Sequence, residues 1–243
     1  MIRSLLIFLC CCVVINSRHF NGGIIDWAPV DPYTNSSIVS IIIIQSYFWT
    51  ANITKCSNVV PITLGEPFSN NTLNCVANCS TNGGYSPIDI ITDCQTVSTI
   101  VNTMSSQRSH IVNLTVGAYF SIAYRDGNWL PLNYPLVPGL TWSMVCSIDL
   151  RRRSDGFINT PPVASVISPQ YAIVNQTTQI TIAVSDVNAG DYVKCRWAKN
   201  DTIDECDGIC YPGSVPNGTY LSGCTIYFIG YVVGTWYGVA IHV

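Results

Sequence analysis

Cysteine placement bounds this chain before any other feature does. Of twelve cysteines, three lie in an apolar N-terminal leader and nine run from Cys56 to Cys224. A thiol density of this kind belongs to chains that oxidise on export, where disulfides form and persist. The leader supports that route. Arg3 gives a positive start, Leu5 to Ile15 a short apolar run, and Ile15-Asn16-Ser17 a small-residue cleavage site, which together predict a signal peptide over 1–17. The run is about half of the ~20 residues needed to cross a bilayer, so cleavage is expected rather than retention as an anchor.

Eight Asn-X-Ser/Thr sequons follow, at Asn35, Asn52, Asn70, Asn78, Asn113, Asn175, Asn200 and Asn217. Each is a potential glycan acceptor and is expected to face solvent, because the glycan is bulky and hydrophilic. Charge adds an exclusion. Lys plus Arg number 11 against 14 Asp plus Glu, for a net charge of −3. A nucleic-acid partner is not expected without a cationic footprint to neutralise phosphates.

β-branched and aromatic residues dominate, and Gly, Pro, Asn and Ser punctuate them, which predicts an all-β chain. Ile38 to Trp49 reads as a buried strand. Val112, Leu114 and Val116 share one face and Asn113 and Thr115 the other. Phe120, Ile122 and Tyr124 continue the alternation to a turn at Asp126-Gly127. Trp142, Met144, Cys146, Ile148 and Leu150 form an inward face, with Ser143, Ser147 and Asp149 outward. The stretch from Pro61 to Thr103 reads as loop, with one short helix near Asp93 to Met104. A charge cluster, an Asp-Gly turn and a Pro-Pro pair between Arg151 and Pro162 mark a boundary. The expected organisation is therefore two tandem, disulfide-braced β-sandwich domains: 22–152, a linker at 153–162, and 163–243.

The last third carries a resemblance. Cys224 to Val243, with Gly234, Thr235, Trp236 and Tyr237 leading into Val239 and Ile241, is similar to the E-to-F corner of fibronectin type III-like modules. Pro161 to Asp191 resembles the opening of fibronectin-like or cadherin-like extracellular repeats. The resemblance implies a Tyr237 hydroxyl bonded to nearby backbone. It also implies that Val243 ends strand F with strand G still to come, from further repeats of a longer ectodomain or from a partner's strand. The N-terminal domain resembles modules of uncharacterised invertebrate surface proteins, which implies no activity. A rival reading of Thr225 to Val243 is a membrane helix with Gly230, Gly234 and Gly238 in a small-residue row. Its period-2 alternation favours a strand, so no transmembrane helix is expected beyond the signal.

Four cysteines of the second domain, Cys195, Cys206, Cys210 and Cys224, can pair fully in three ways. Cys195 with Cys224 across the core, leaving Cys206 with Cys210, is geometrically plausible, and the two other pairings stay open. Cys56, Cys75, Cys79 and Cys94 occupy loop-rich sequence and are expected in disulfides. Cys146, on an inward face, is expected to be unpaired, its rival role being an intermolecular bridge. Cys75-x3-Cys79 and Cys206-x3-Cys210 also match structural-zinc spacing, but an oxidising compartment favours disulfides.

No cofactor is expected. Asp186, Asn188 and Asp191 form a weak calcium candidate whose bland alternative is a strand-connecting turn. No catalytic residue is expected either. His19, His110 and His242 lack a nucleophile motif, and Asp31, Glu66, Asp89, Asp93, Asp126 and Asp149 are acids that nothing in the sequence pairs. Trp27, Trp49 and Trp129 offer sugar-stacking faces, or core filling. The expected function is a non-enzymatic secreted or cell-surface ectodomain for adhesion, recognition or spacing, with an unknown protein or glycan partner. The alternatives are a carbohydrate-binding module and a secreted glycoside hydrolase.

Overall fold

The computed structural model describes residues 20–54, 56, 71–127, 129–133 and 140–243. The leader, the sequon at Asn70, Glu66 and His19 lie outside them. The chain is all-β. Eight strands build the first part: β1 (Phe20–Pro29), β2 (Ile38–Thr50), β3 (Thr72–Ala77), β4 (Ile88–Asp89), β5 (Asp93–Ser98), β6 (Thr103–Thr115), β7 (Tyr119–Gly127) and β8 (Thr141–Asp149). They form two four-stranded antiparallel sheets in the orders β1-β2-β6-β5 and β4-β3-β7-β8.

Alternation decides which side of each strand is buried. Along β2, Val39, Ile41, Ile43, Tyr47 and Trp49 are fully buried, while Ile38 is 47% exposed. The opposite sheet supplies Phe120, Ile122, Tyr124, Trp142 and Ile148, so the two inner faces close on one hydrophobic cluster. Phe20 stacks on Trp142 with ring centroids 4.1 Å apart, and Tyr47 meets Tyr124 at 5.3 Å. Several polar groups inside are paired. Gln45 Nε2 donates to the Asp89 carbonyl at 3.0 Å, Tyr47 Oη donates to Gln45 Oε1 at 2.7 Å, and Trp49 Nε1 donates to Ser106 Oγ at 3.0 Å. A buried Gln is tolerated only on such terms.

Two expectations are corrected in this part. The stretch read as loop contains β3, β4 and β5. Asp93–Ser98, read as helix, is a strand against β6, and a turn, not a helix, carries the chain from it to Thr103. Cross-strand pairing with β6 overrode a local pattern that is ambiguous over so few residues. Ser143 is also not outward in the sense expected. It is only 4% exposed, because residues from the last third cover that face of β8.

Seven shorter strands follow: β9 (Val163–Ser165), β10 (Thr177–Thr181), β11 (Ala183–Ser185), β12 (Arg196–Trp197), β13 (Tyr220–Ser222), β14 (Thr225–Ile229) and β15 (Ile241–His242). They pair as β10-β14-β13, β11-β9 and β12-β15. Ile182, Ile226 and Phe228 form a second, smaller cluster, with Tyr237, Val239 and Ile241 packed on it. The segment read as a possible membrane helix is thus β14, a turn-rich stretch and β15. Among the described residues no helix is long and apolar enough to cross a membrane.

The stretch between Arg151 and Pro162 is pinned at several points. Ile158 is fully buried in the larger cluster and its N–H donates to the Pro32 carbonyl at 3.0 Å. Arg152 donates to the Thr34 and Gly156 carbonyls, and Arg153 is ion-paired with Asp191. Ile209, Trp236 and Ala240 of the last third join the larger cluster.

Four cysteine pairs stand at disulfide distance. Cα separations are 5.7 Å for Cys56–Cys94, 5.8 Å for Cys75–Cys79, 5.0 Å for Cys195–Cys224 and 5.0 Å for Cys206–Cys210. Cys146 is free and buried.

Candidate functional site

A cleft of about 760 Å³ lies between the edges of β1 and β8 and the inner side of the last third. Its existence follows from the edge positions of these strands. β1 pairs only with β2 and β8 only with β7, so their free margins face the segment from Pro161 to Val174 and the run from Gly230 to Val243.

Close approaches fix the walls. Ser168 Oγ donates to the Asn21 carbonyl at 2.5 Å. Asn133 and Trp236 exchange two bonds, N–H to carbonyl at 2.7 Å and Trp236 N–H to Asn133 Oδ1 at 2.6 Å. Ser143 Oγ and Arg125 Nη2 both donate to the Asp204 carbonyl, at 2.6 and 3.1 Å. Gly238 lies so near the first part that a Cβ there would stand 2.7 Å from Ile209 Cγ2 and 3.0 Å from Leu132 Cδ1. Only a residue without a side chain fits that approach. The sequence displayed Gly238 as one of three glycines at four-residue spacing; its use is in this contact.

The cleft is walled by apolar side chains, and Trp27, Trp129, Trp142 and Trp236 are among them. Trp142 Nε1 is a buried donor with no acceptor among the described residues. At one end Arg196 holds Glu205 by two bonds, at 2.6 and 2.8 Å, and the Lys199 N–H donates to the same carboxylate at 3.0 Å. Burial pushes the Glu205 carboxyl up, but Arg196, the Lys199 N–H and nearby His242 outweigh it and hold it below its ordinary value. His242 Nε2 stands 3.5 Å from Glu205 Oε1. Burial is the main influence on this imidazole and lowers its pKa, against the pull of Glu205.

Asp26, on β1, differs from these groups. Its carboxyl makes no hydrogen bond or ion pair among the described residues, and burial alone pushes its pKa from 3.8 to about 6. Sequence reading missed it. Alternation along β1 places Asp26 opposite in phase to buried Ile25 and Trp27, which reads as an ordinary solvent position until the last third is laid beside it.

The residues singled out from sequence are scattered. Trp27, Trp49 and Trp129 are 5%, 0% and 9% exposed, so they fill the core and present no open face to a sugar. Asp89 and Asp93 share Arg108, at 3.5 and 2.8 Å. Asp149 pairs with Arg151, and Asn71 donates to Asp126. None of these acids, nor Asp31, lines the cleft. His110 lies on β6 and does not line the cleft.

The loop Asp186 to Asp191 has other tasks. Asp191 takes the Arg153 guanidinium, Asn188 Oδ1 accepts the Thr160 N–H at 3.2 Å, and Asp186 Oδ1 accepts the Asn188 N–H at 2.7 Å. A guanidinium supplies the positive charge that a calcium ion would bring. The one group of potential metal ligands within 4.8 Å among the described residues is Asp204, Cys206 and Cys210. Both sulfurs are joined to each other, and Asp204 Oδ1 accepts the N–H groups of Cys206 and Asp207, so the group does not fit a metal. Tyr237 Oη accepts from Thr235 Oγ1 at 3.2 Å. No protein-family model, curated protein or solved structure matches the chain.

Proposed function

We propose that this chain is an exported, non-enzymatic glycoprotein of the secreted or cell-surface kind, whose two β units serve recognition or adhesion. One observation carries the reading: all seven described sequon asparagines, Asn35, Asn52, Asn78, Asn113, Asn175, Asn200 and Asn217, are exposed, and none lines the cleft. Glycans at these positions leave one apolar, sheltered surface open for contact.

The four cysteine pairs agree with an oxidising compartment. Fibronectin-like or cadherin-like organisation of 163–243 remains part of the proposal, supported by a three-stranded sheet beside a separate β12-β15 pair. Among the described residues, the cleft groups are held by protein partners or stand alone, and no nucleophile–base pair is formed there.

The test is expression in animal cells. The protein is expected in the medium, to lose mass on glycosidase treatment, and to support cell attachment when coated on a surface. A reduced, unglycosylated chain kept inside the cell would overturn the export reading, and glycosylated protein that supports no attachment would overturn the adhesive role.

A further inference from the structure

We propose that the cleft binds a small organic cation with an apolar body, an amphiphilic amine, with the Asp26 carboxylate as its counter-ion. This stands independently of export, because it rests on the charge and shape of the cleft alone.

The charges that face the cleft can be accounted for one by one. Arg196 and Glu205 neutralise each other through two short bonds. His242 sits beside that pair, with burial holding it toward its neutral form. Cys146, on β8 across from Asp26, is a buried thiol that burial keeps protonated. Tyr171 and Tyr237 bring only hydroxyls. What remains is one carboxyl, Asp26, with no cationic or hydrogen-bonding partner among the described residues.

An isolated carboxylate beside apolar walls is unfavourable unless something pairs with it. An asparagine or serine there would remove the penalty. Asp26 therefore stands to gain from a cationic partner that enters the cleft.

Two independent features fit the same ligand class. Trp236, which is partly exposed, lines the cleft in front of the buried Trp27, Trp129 and Trp142, and an indole face attracts cations. The volume of about 760 Å³ falls in the ~300–1,000 Å³ range of sites for small organic ligands. None of the described sequon asparagines lines it, so glycans do not close it.

The same tryptophans provide the readout. The protein is titrated with dodecylamine, dodecanol and dodecanoate, each below its micelle-forming concentration, while tryptophan fluorescence is followed. At pH 7.5 dodecylamine is expected to bind roughly tenfold tighter than dodecanol, the order of one partly buried ion pair, and dodecanoate weakest. An alkylamine, like a lysine side chain, stays protonated well above this range. The amine's advantage should therefore shrink as pH falls through about 6, where Asp26 takes up its proton. Asp26→Asn should abolish the advantage at pH 7.5, and Asp26→Glu should retain part of it. Equal binding of the three chains, a preference for the carboxylate, no binding at all, or an advantage that persists in Asp26→Asn would each overturn the proposal. The pH series on the unmodified protein decides the matter even if a variant is produced poorly.

Discussion

At the residue scale, Asp26 links stability to pH with a definite sign. Its folded-state pKa of about 6 lies above its ordinary value of 3.8, so the native state holds the proton more tightly than the unfolded chain. Stability contributed by the protonated form is full below about pH 4, falls as pH rises through about 6, and is absent above it. A two-unit shift corresponds to about 3 kcal/mol before solvent screening and to about 1–2 kcal/mol after it, since the side chain keeps some access to water. Asp26→Asn is accordingly expected to raise Tm by roughly 2–6 °C at pH 7.5 and to leave it unchanged near pH 4, as thermal unfolding followed by circular dichroism at both pH values will show. Cys146 gives a second prediction at this scale. Burial, helped by the nearby Asp26 charge, raises its thiol pKa well above the ordinary range. A maleimide should leave it untouched in the native protein and label one thiol per chain in denaturant. Three further labelled thiols would mean that Cys10, Cys11 and Cys12 of the leader had been retained.

At the element scale, the cross-links differ in what they hold. Cys56–Cys94 closes a loop of sequence separation 38 and ties β5, an edge strand, to the chain shortly after β2, whereas Cys75–Cys79 closes a separation of 4 beside β3. Loop-closure entropy assigns about 4 kcal/mol to the first and about 2 kcal/mol to the second. Replacing both members of a pair by alanine should therefore lower the urea midpoint more for Cys56 and Cys94 than for Cys75 and Cys79. Elements with long alternation were legible in the sequence. Burial along β2 follows its spacing, and Leu114 is buried while Asn113 and Thr115 are exposed on β6; on β7 the alternate residues Ser121 and Ala123 are buried as well. Where a strand is short or polar, as in β5 with Gln95 and Thr96, the residues carry no period of their own and the neighbouring β6 decides. Ser143 shows the same limit from the other side. Its phase was readable, but the carbonyl of Asp204 that covers it comes from 61 residues further along the chain. The cleft was illegible for that reason: Asp26, Trp142 and Trp236 meet only in three dimensions.

At the scale of the whole molecule, the larger core is not completed by the first eight strands. Ile158 is fully buried in it, and Ile209, Trp236 and Ala240 also pack there. A chain ending at residue 152 should therefore expose apolar surface, bind a dye such as anilinonaphthalene sulfonate, and associate in sedimentation experiments where the full chain does not. A monomeric, dye-silent product would show that the first part stands alone. The placement of Trp236 also bears on synthesis. A ribosome delivers residues in order, and the partner that Asn133 meets through two backbone-directed bonds lies 103 positions later. Until Trp236 has been made, the nascent polypeptide carries an open seam, and any chaperone that attends it has that interval in which to act.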